Sequence, residues 1–592
     1  MNDHAEAYRE RIAARAAETA ACQRQHVWLG YLRLTLVVAG VLVIWFSFHR
    51  DEISRWWPLL VCGLFVIVAR KHSAVLQRKA EAQRAIRFFE YGLARIEDRW
   101  ADNPARKTNV DASQSLLADD LDLFRRGGLF DLLDTARTSE GADLLALWLL
   151  NPATRETILA RQAAIAELRA STVLRERLAS CGETDFEQLD TELLAQWGSG
   201  AELEIPGALR WIAPVLVLIT VASAVWFLAT NNGWPLLAIV VLDSIVRFPL
   251  KKRVQSLFVS AERTSNSLKL ASQLIALWEQ QPVESPLLLE LQGQLTGGDK
   301  SASQALSRLA FLTRMMEQYG NLMVRIFDVP LLYSMQVALA AQRWRRTYGS
   351  VLARWLRALA ELEALQSLAT YSFEHPHDPF PQISEAEPCF EAVSLGHPLI
   401  AAAKCVRNDV KLGNETKLLL VSGSNMSGKS TLLRAVGINT VLAMAGAPVR
   451  AASLQLTPMH VGASIQLNDS LQEGRSRFYS EILRLRAICE LAEERPPVLF
   501  LLDELLDGTN SSDRLTGATG IAQALLASGA IGLISTHDLA LAEIANREHA
   551  LRNVHFEERI EDGEMLFDFK LRDGVVTTRN GVALMRMVGL KV

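Results

Sequence analysis

Gly423-Ser-Asn-Met-Ser-Gly428-Lys429-Ser430 is the stretch of this sequence that decides its fold. An apolar run, 418–421, precedes it and a helix-favouring run, 431–436, follows it, so the stretch is predicted to join a buried strand to a helix. Its glycines allow the backbone to curl until several N–H groups converge on phosphate oxygens, and the dipole of the following helix assists them. The pattern predicts an α/β domain with a phosphate-binding loop; a Gly/Ser-rich turn with an exposed lysine is the alternative.

The residues of this loop have roles that follow from their chemistry. The Lys429 ammonium group can reach the terminal phosphates, and the Ser430 hydroxyl can bind Mg²⁺. The residues predicted to contact the nucleotide are Gly423, Ser424, Asn425, Met426, Ser427, Gly428, Lys429, Ser430 and Thr431.

Two further apolar runs end in residues suited to nucleotide hydrolysis. Val498-Leu-Phe-Leu-Leu is followed by Asp503 and Glu504. Asp503 is predicted to orient the Mg²⁺ shell, and Glu504 to position or polarise the attacking water. The run 531–536 ends at His537, which falls where a γ-phosphate sensor belongs, although a histidine after a strand is usually an ordinary loop residue. These runs favour the phosphate loop over the simple turn.

The order of these segments resembles the P-loop ATPase domain of the MutS family of mismatch-repair proteins, within the ABC-type ATPases. The likeness covers about residues 385–592. The motifs that carry it are Gly396-His-Pro-Leu399, Val406-Arg-Asn-Asp409, Asn425-Met426, Gly462-Ala463, Gly474-Arg475-Ser476-Arg477-Phe478, Asp503-Glu504, Gly508-Thr509, Ser535-Thr-His537 and the tail from Phe567 to Leu590. Upstream, residues 116–168 are similar to the start of the MutS helical core, which the helical stretch 250–372 would complete.

The resemblance implies ATP and Mg²⁺ as cofactors, a homodimer, and double-stranded DNA as a partner. In this ATPase class the active site is composite, because the signature segment of one subunit closes on the phosphates bound by the other. Gly474, Arg475 and Ser476 would supply that contact, together with the turn 507–511. The aromatic residue that stacks on adenine in the family is replaced by Cys405-Val406, so Val406 is the residue expected at the base.

The sequence also departs from mismatch-reading MutS proteins, which carry a recognition domain and a connector domain before the core. About 110 residues precede the core here, and no dimerisation or nuclease module is expected after Val592. Phe88-Phe-Glu90 has the Phe-x-Glu shape of the mismatch-reading motif, but it lies in a charged helical segment, where a core-facing aromatic residue is expected. Two functions stay open. One is a membrane-anchored ATPase in DNA binding and mismatch repair, and the alternative is a membrane-tethered ATP-driven switch that acts on a protein or lipid partner.

Two pairs of apolar segments predict membrane hairpins. Leu29–Phe48 carries one charge and Trp211–Ala229 carries none, and each is long enough to cross a hydrocarbon layer of about 30 Å. The second segments of the pairs, Trp56–Ala69 and Leu236–Val246, are short. Each must include flanking residues in its helix, cross the membrane with little tilt, or form a re-entrant segment. Buried core helices are the alternative. Basic residues flank both pairs, which predicts a multi-pass protein of the inner membrane with its ATPase domain in the cytoplasm.

The predicted architecture is an all-α MutS-like core with inserted transmembrane helices, followed by the α/β domain. Its segments are a cytoplasmic N-terminal helix at 1–27, a transmembrane hairpin at 28–72, the first part of the core at 73–207, a second hairpin at 208–249, the second part of the core at 250–372 and the ATPase domain at 373–592. The net charge of −4 gives no global basic footprint for nucleic acid. Six scattered cysteines predict neither a metal site nor a disulfide framework.

Overall fold

The computed structural model describes residues 2–49, 56–182, 194, 196–198, 209–247, 265–296, 301–318, 324, 328, 332–424, 426–465, 477–507, 509–537, 541–542, 550–561 and 564–576.

The described residues before 375 form helices and connecting turns. The α-helices are α1 (Asn2–His49), α2 (Trp57–Ile96), α3 (Leu129–Leu133), α4 (Ser139–Leu150), α5 (Arg155–Arg169), α6 (Thr172–Ser180), α7 (Leu209–Thr230), α8 (Trp234–Arg247), α9 (Ser265–Gln280), α10 (Pro286–Thr296), α11 (Ala302–Glu317) and α12 (Tyr333–Glu374). Local capping starts several of them: the side chains of Thr138, Thr154 and Ser301 each accept a hydrogen bond from a first-turn N–H group that has no partner within the helix. The predicted helical part is therefore confirmed.

Three of these helices are long and apolar enough to cross a membrane, namely Asp3–Ser47, Trp57–Ile96 and Trp211–Thr230, while Trp234–Ile245 is apolar but shorter. The short apolar segment predicted as the second half of the first hairpin is part of a longer helix, because α2 continues unbroken to Ile96 and so includes flanking residues. Its second half buries Ala82, Ala85 and Phe89, and that packing extends the helix beyond the apolar run. The predicted boundaries after residues 27 and 72 thus fall inside continuous helices.

Helix α1 contacts the C-terminal end of α12 through a cluster of buried side chains. Arg95 donates two hydrogen bonds to the Glu374 carboxylate, at 2.6 and 2.7 Å, and both side chains are buried. The Tyr8 hydroxyl donates to the same carboxylate at 3.3 Å, and Tyr8 packs against Phe89. This cluster joins α1, α2 and the last residue of α12, immediately before the α/β part begins.

The residues after 375 form the α/β part that the sequence predicts. Its elements are β1 (Gln382–Ile383), β2 (Phe390–Leu395), β3 (Asn408–Leu412), β4 (Leu418–Ser422), α13 (Lys429–Ala445), β5 (Ser453–Leu456), β6 (His460–Ser464), α14 (Arg477–Ala492), β7 (Val498–Leu502), α15 (Ser511–Ala527), β8 (Ile531–Thr536), β9 (Leu551–Glu561) and β10 (Glu564–Asp573). One sheet has the order β1-β5-β2-β3, and the larger one has the order β10-β9-β4-β8-β7-β6.

The larger sheet brings the predicted site residues to one edge. Strands β4, β7 and β8 are buried along their whole length, as expected for central parallel strands covered on both faces. Strand β4 pairs in parallel with β8 and β9, and β7 pairs in parallel with β8 and β6. The carboxyl ends of these strands therefore lie side by side, where open parallel sheets place their ligand sites.

Candidate active site

The glycine-rich loop makes a tight turn between β4 and α13. Gly423 and Gly428 have φ angles of +152° and +106°, which disfavour any residue with a side chain. A Cβ atom on Gly423 would lie 2.7 Å from the Ser427 Oγ atom, and one on Gly428 would lie 3.2 Å from the Phe569 ring. Both glycines are therefore required for the close approach of the loop to its neighbours.

Lys429 is the first residue of α13, and its side chain folds back over the loop. The Nζ atom donates hydrogen bonds to the carbonyl oxygens of Gly423 and Ser424, each at 2.9 Å. It also lies 3.9 Å from the Glu504 Oε1 atom. Burial lowers the pKa of Lys429, and the Glu504 and Asp503 carboxylates oppose that shift. The cation is thus held at the loop between two carbonyl oxygens and a carboxylate.

The two predicted carboxylates follow β7 and are oriented by the neighbouring strand. The Ser535 hydroxyl donates to Asp503 Oδ1, and the Glu504 N–H group donates to Ser535 Oγ at 3.1 Å. Glu504 has a φ angle of +47°, which turns its side chain away from the strand direction. Its Oε1 atom lies 3.9 Å from His537 Nδ1 as well as 3.9 Å from Lys429 Nζ.

Most of the other predicted site residues lie in or near this loop. Ser430 and Thr431 stand in the first turn of α13, Met426 is 86% exposed, and the Ser424 hydroxyl donates to Glu558. The Ser427 hydroxyl is buried and has no hydrogen-bond partner in the described part of the chain, so it is free to donate to a ligand. Asn425, Gly474, Arg475 and Ser476 lie outside the described residues.

A cavity of about 270 Å³ adjoins the loop at Gly428 and Thr431. Val406 lines its wall, and so does Phe569 of β10, whose ring is close to Gly428 of the loop. The sequence did not single out Phe569, which enters only as part of the tail from Phe567 to Leu590. A β-bulge between Phe567 and Leu571 changes the direction of the Phe569 side chain. The Asn408 side-chain amide donates a hydrogen bond to the Phe569 carbonyl oxygen at 3.0 Å. Two phenylalanines two residues apart were the only sequence signal.

His397 lines the same cavity and is neutral. Its Nδ1 atom accepts a hydrogen bond from the Leu399 N–H group at 3.2 Å. Burial, and to a smaller extent the Arg434 charge, lowers the pKa of His397 to about 4. The cavity wall is therefore uncharged at this position near pH 7.

Two aspartates of the helical part reach the elements that flank the site. Asp120, which is fully buried, accepts hydrogen bonds from the Ile465 N–H group at 2.7 Å and from the Arg484 guanidinium. Arg484 also donates to the Ala463 carbonyl oxygen at 2.7 Å. Two residues later, Asp122 lies 3.2 Å from Arg434 of α13. The turn 120–122 thus contacts the helix after the glycine-rich loop, the residue after β6 and helix α14.

Comparison with known proteins gives matches over both parts of the chain. The family model for MutS domain III matches residues 112–369, and that for MutS domain V matches residues 419–591. A DNA mismatch repair protein MutS of Staphylococcus saprophyticus subsp. saprophyticus is 29% identical over 292 residues, which is 48% of this chain and 32% of that protein. The proteins of the same name from Staphylococcus aureus strains JH9 and Newman are 28% identical over 291 residues, 47% of this chain and 32% of theirs. The chain thus matches about a third of the length of these curated relatives.

Proposed function

The chain belongs to the MutS family, and from that premise we propose that its α/β part is an ATPase held at a membrane by the helical hairpins. The observation that carries the proposal is the convergence of Lys429, Glu504 and His537 beside a loop whose glycines allow close backbone approach. A carboxylate that lies 3.9 Å from both a cation and a histidine is suited to a phosphoryl group and an attacking water.

The proposed hydrolysis uses residues that the sheet already positions. The loop N–H groups and Lys429 bind the β- and γ-phosphates, with Lys429 exchanging its two carbonyl partners for phosphate oxygens. Ser430 and Asp503 offer the hard oxygen atoms that Mg²⁺ prefers, so these two residues would hold the ion, which would neutralise phosphate charge. Glu504 orients the water and accepts its proton, while His537 donates a hydrogen bond to the γ-phosphate.

The cavity beside the loop is the proposed base-binding pocket. Its position next to Gly428 and Thr431 suits a nucleoside whose phosphates occupy the loop. Val406 then contacts one side of the base, and the Phe569 ring provides the aromatic stacking surface that the sequence lacks at position 406. Phe569 is 41% exposed, so a stacked base would cover apolar surface that now faces solvent.

We also propose a homodimer with composite sites. Helix α14 begins at Arg477, directly after the segment 474–476 that is predicted to close on the phosphates of the other subunit. Asp120 bonds to Ile465 and to Arg484, which lie before and after that segment in the sequence.

We also propose that the protein lies in a membrane and that duplex DNA is one of its partners. Among the described residues, three helices are long and apolar enough to cross a membrane, and the basic residues that flank them support a cytoplasmic ATPase. The relatives carry the name of DNA mismatch repair proteins, which supports duplex DNA as a partner.

Phe88 packs edge-on against the buried Phe89 ring, with centroids 5.4 Å apart. A ring held in a helix cluster cannot wedge into a base step, so we propose that mismatches are not read through Phe88.

ATP hydrolysis by the full chain in lipid nanodiscs tests the proposed activity. The wild type should hydrolyse ATP only with Mg²⁺, and Glu504→Gln should abolish turnover while ATP still binds. The matched control is Glu494→Gln, an exposed carboxylate in the turn before β7. Equal turnover by wild type and Glu504→Gln would refute the assignment of the site.

A further inference from the structure

A groove remote from the candidate active site opens between three helices of the core. It encloses about 650 Å³ and is walled by α2, by the end of α6 with the turn after it, and by α9. This volume is typical of a small-molecule site. The space is here called the α2–α9 groove.

Positive charge dominates the α2–α9 groove, although the whole chain has a net charge of −4. Arg84, Arg177 and Lys269 line it, and Glu81 is its one carboxylate among the described residues. Arg84 is buried and fixed, because its Nε atom donates to the Ser180 carbonyl oxygen at 2.8 Å. The exposed Arg177 guanidinium has no hydrogen-bond or ion-pair partner among the residues that the structure describes. This arrangement favours an anionic ligand.

The same groove has an apolar wall on the side of the predicted membrane. Leu76, which is 41% exposed, and Ala80 line it on α2. At 1.5 Å per residue, Leu76 lies about 8 Å and Arg84 about 20 Å along α2 from Lys71, the last basic residue within the predicted hairpin 28–72. The headgroup layer of a bilayer is roughly 5–8 Å thick on each side. The groove therefore runs from just below that layer, apolar first and cationic farther in.

We propose that the α2–α9 groove binds an acidic phospholipid that is drawn partly out of the cytoplasmic leaflet, because the cationic end lies about 12 Å farther from the bilayer than Leu76. The phosphate contacts Arg84, Arg177 and Lys269, and the beginning of an acyl chain lies along Leu76 and Ala80 towards the bilayer. Basic pockets beside membrane helices are suited to such headgroups. The inference rests on the proposed membrane placement and adds a ligand to it. Because α2 continues from the first hairpin and α9 follows the second, a bound lipid would bridge the two.

Lipid retention by the full chain, extracted in mild detergent and measured by native mass spectrometry, tests this site. After reconstitution in vesicles of equal parts phosphatidylglycerol and phosphatidylcholine, the wild type should retain phosphatidylglycerol at least tenfold over phosphatidylcholine. Arg177→Glu with Lys269→Glu should lose that preference. The matched control, Arg354→Glu with Arg357→Glu on exposed positions of α12, should keep it. ATP hydrolysis should be unchanged in both variants.

Three outcomes would overturn the proposal. The first is equal phosphatidylglycerol retention by the wild type and the groove variant. The second is displacement of the lipid by glycerol 3-phosphate at matched concentration, which would make the groove a site for soluble phosphate esters. If the groove variant fails to fold, the wild type is instead crosslinked to a photoactivatable phosphatidylglycerol. Its crosslinks should map to 76–84 and 266–277, and crosslinks confined to other segments contradict the site. A chain that stays monodisperse without detergent would instead refute the membrane placement itself.

Discussion

Replacing Asp120 by asparagine should separate ATP binding from ATP hydrolysis. The fully buried carboxylate accepts one hydrogen bond from the Ile465 N–H group and one from the Arg484 guanidinium. An amide has a single oxygen, so either of its orientations sets an NH₂ group against one of these two donors. A lost hydrogen bond to a charged group costs about 1.5–3 kcal/mol.

That cost falls on Ile465 and on Arg484 of α14, which lie before and after 466–476 in the sequence, and it leaves the glycine-rich loop intact. At about 1.4 kcal/mol per tenfold change, turnover should fall roughly 10- to 150-fold if it depends on that segment. ATP affinity, measured with a fluorescent ATP analogue, should stay within about threefold of the wild type. Asp119→Asn is the matched control, because Asp119 is the exposed neighbour of Asp120 and its turnover should not change. Wild-type turnover in Asp120→Asn would refute the reasoning, and so would a parallel loss of ATP affinity, which would place the defect in the loop.

Four other results are expected. Lys429→Ala should abolish tight ATP binding, because the residue supplies the mobile cation at the loop, and unchanged affinity in a filter-binding assay would contradict the loop assignment. Glu504→Gln should accumulate an ATP-bound dimer in size-exclusion chromatography, since the amide cannot accept the proton of water. Duplex DNA binding should fall steeply with salt and should not distinguish a G·T mismatch, and a tenfold preference that disappears in Phe88→Ala would contradict this. Stability should decrease as the pH falls from about 6.5 to 4, because the unfolded chain then protonates His397 while the folded chain, with a pKa of about 4, does not; His397→Gln should weaken this pH dependence in thermal melts.

The central strands and the residues at their ends could be predicted from the sequence. Buried parallel strands are continuous apolar runs, so β4, β7 and β8 stand out locally, and each run is followed directly by its polar site residues. The two glycines of the loop, Gly423 and Gly428, are local signals of the same kind, because only a residue without a side chain adopts their backbone angles at low cost. The roles of Asn425 and of 474–476 stay predictions.

Only the tertiary structure decided which distant residues complete the site and the core. Asp120 meets Arg484 across 364 positions, and Arg95 meets Glu374 across 279, and no local pattern specifies such partners. Phe569 reaches the cavity through a bulge, whose position depends on how β10 pairs with β9. Helix α2 continues beyond its apolar run because its second half packs on other helices. Periodicity reports which face of an element is buried, whereas the partner buried against it is set by the packing of the whole chain.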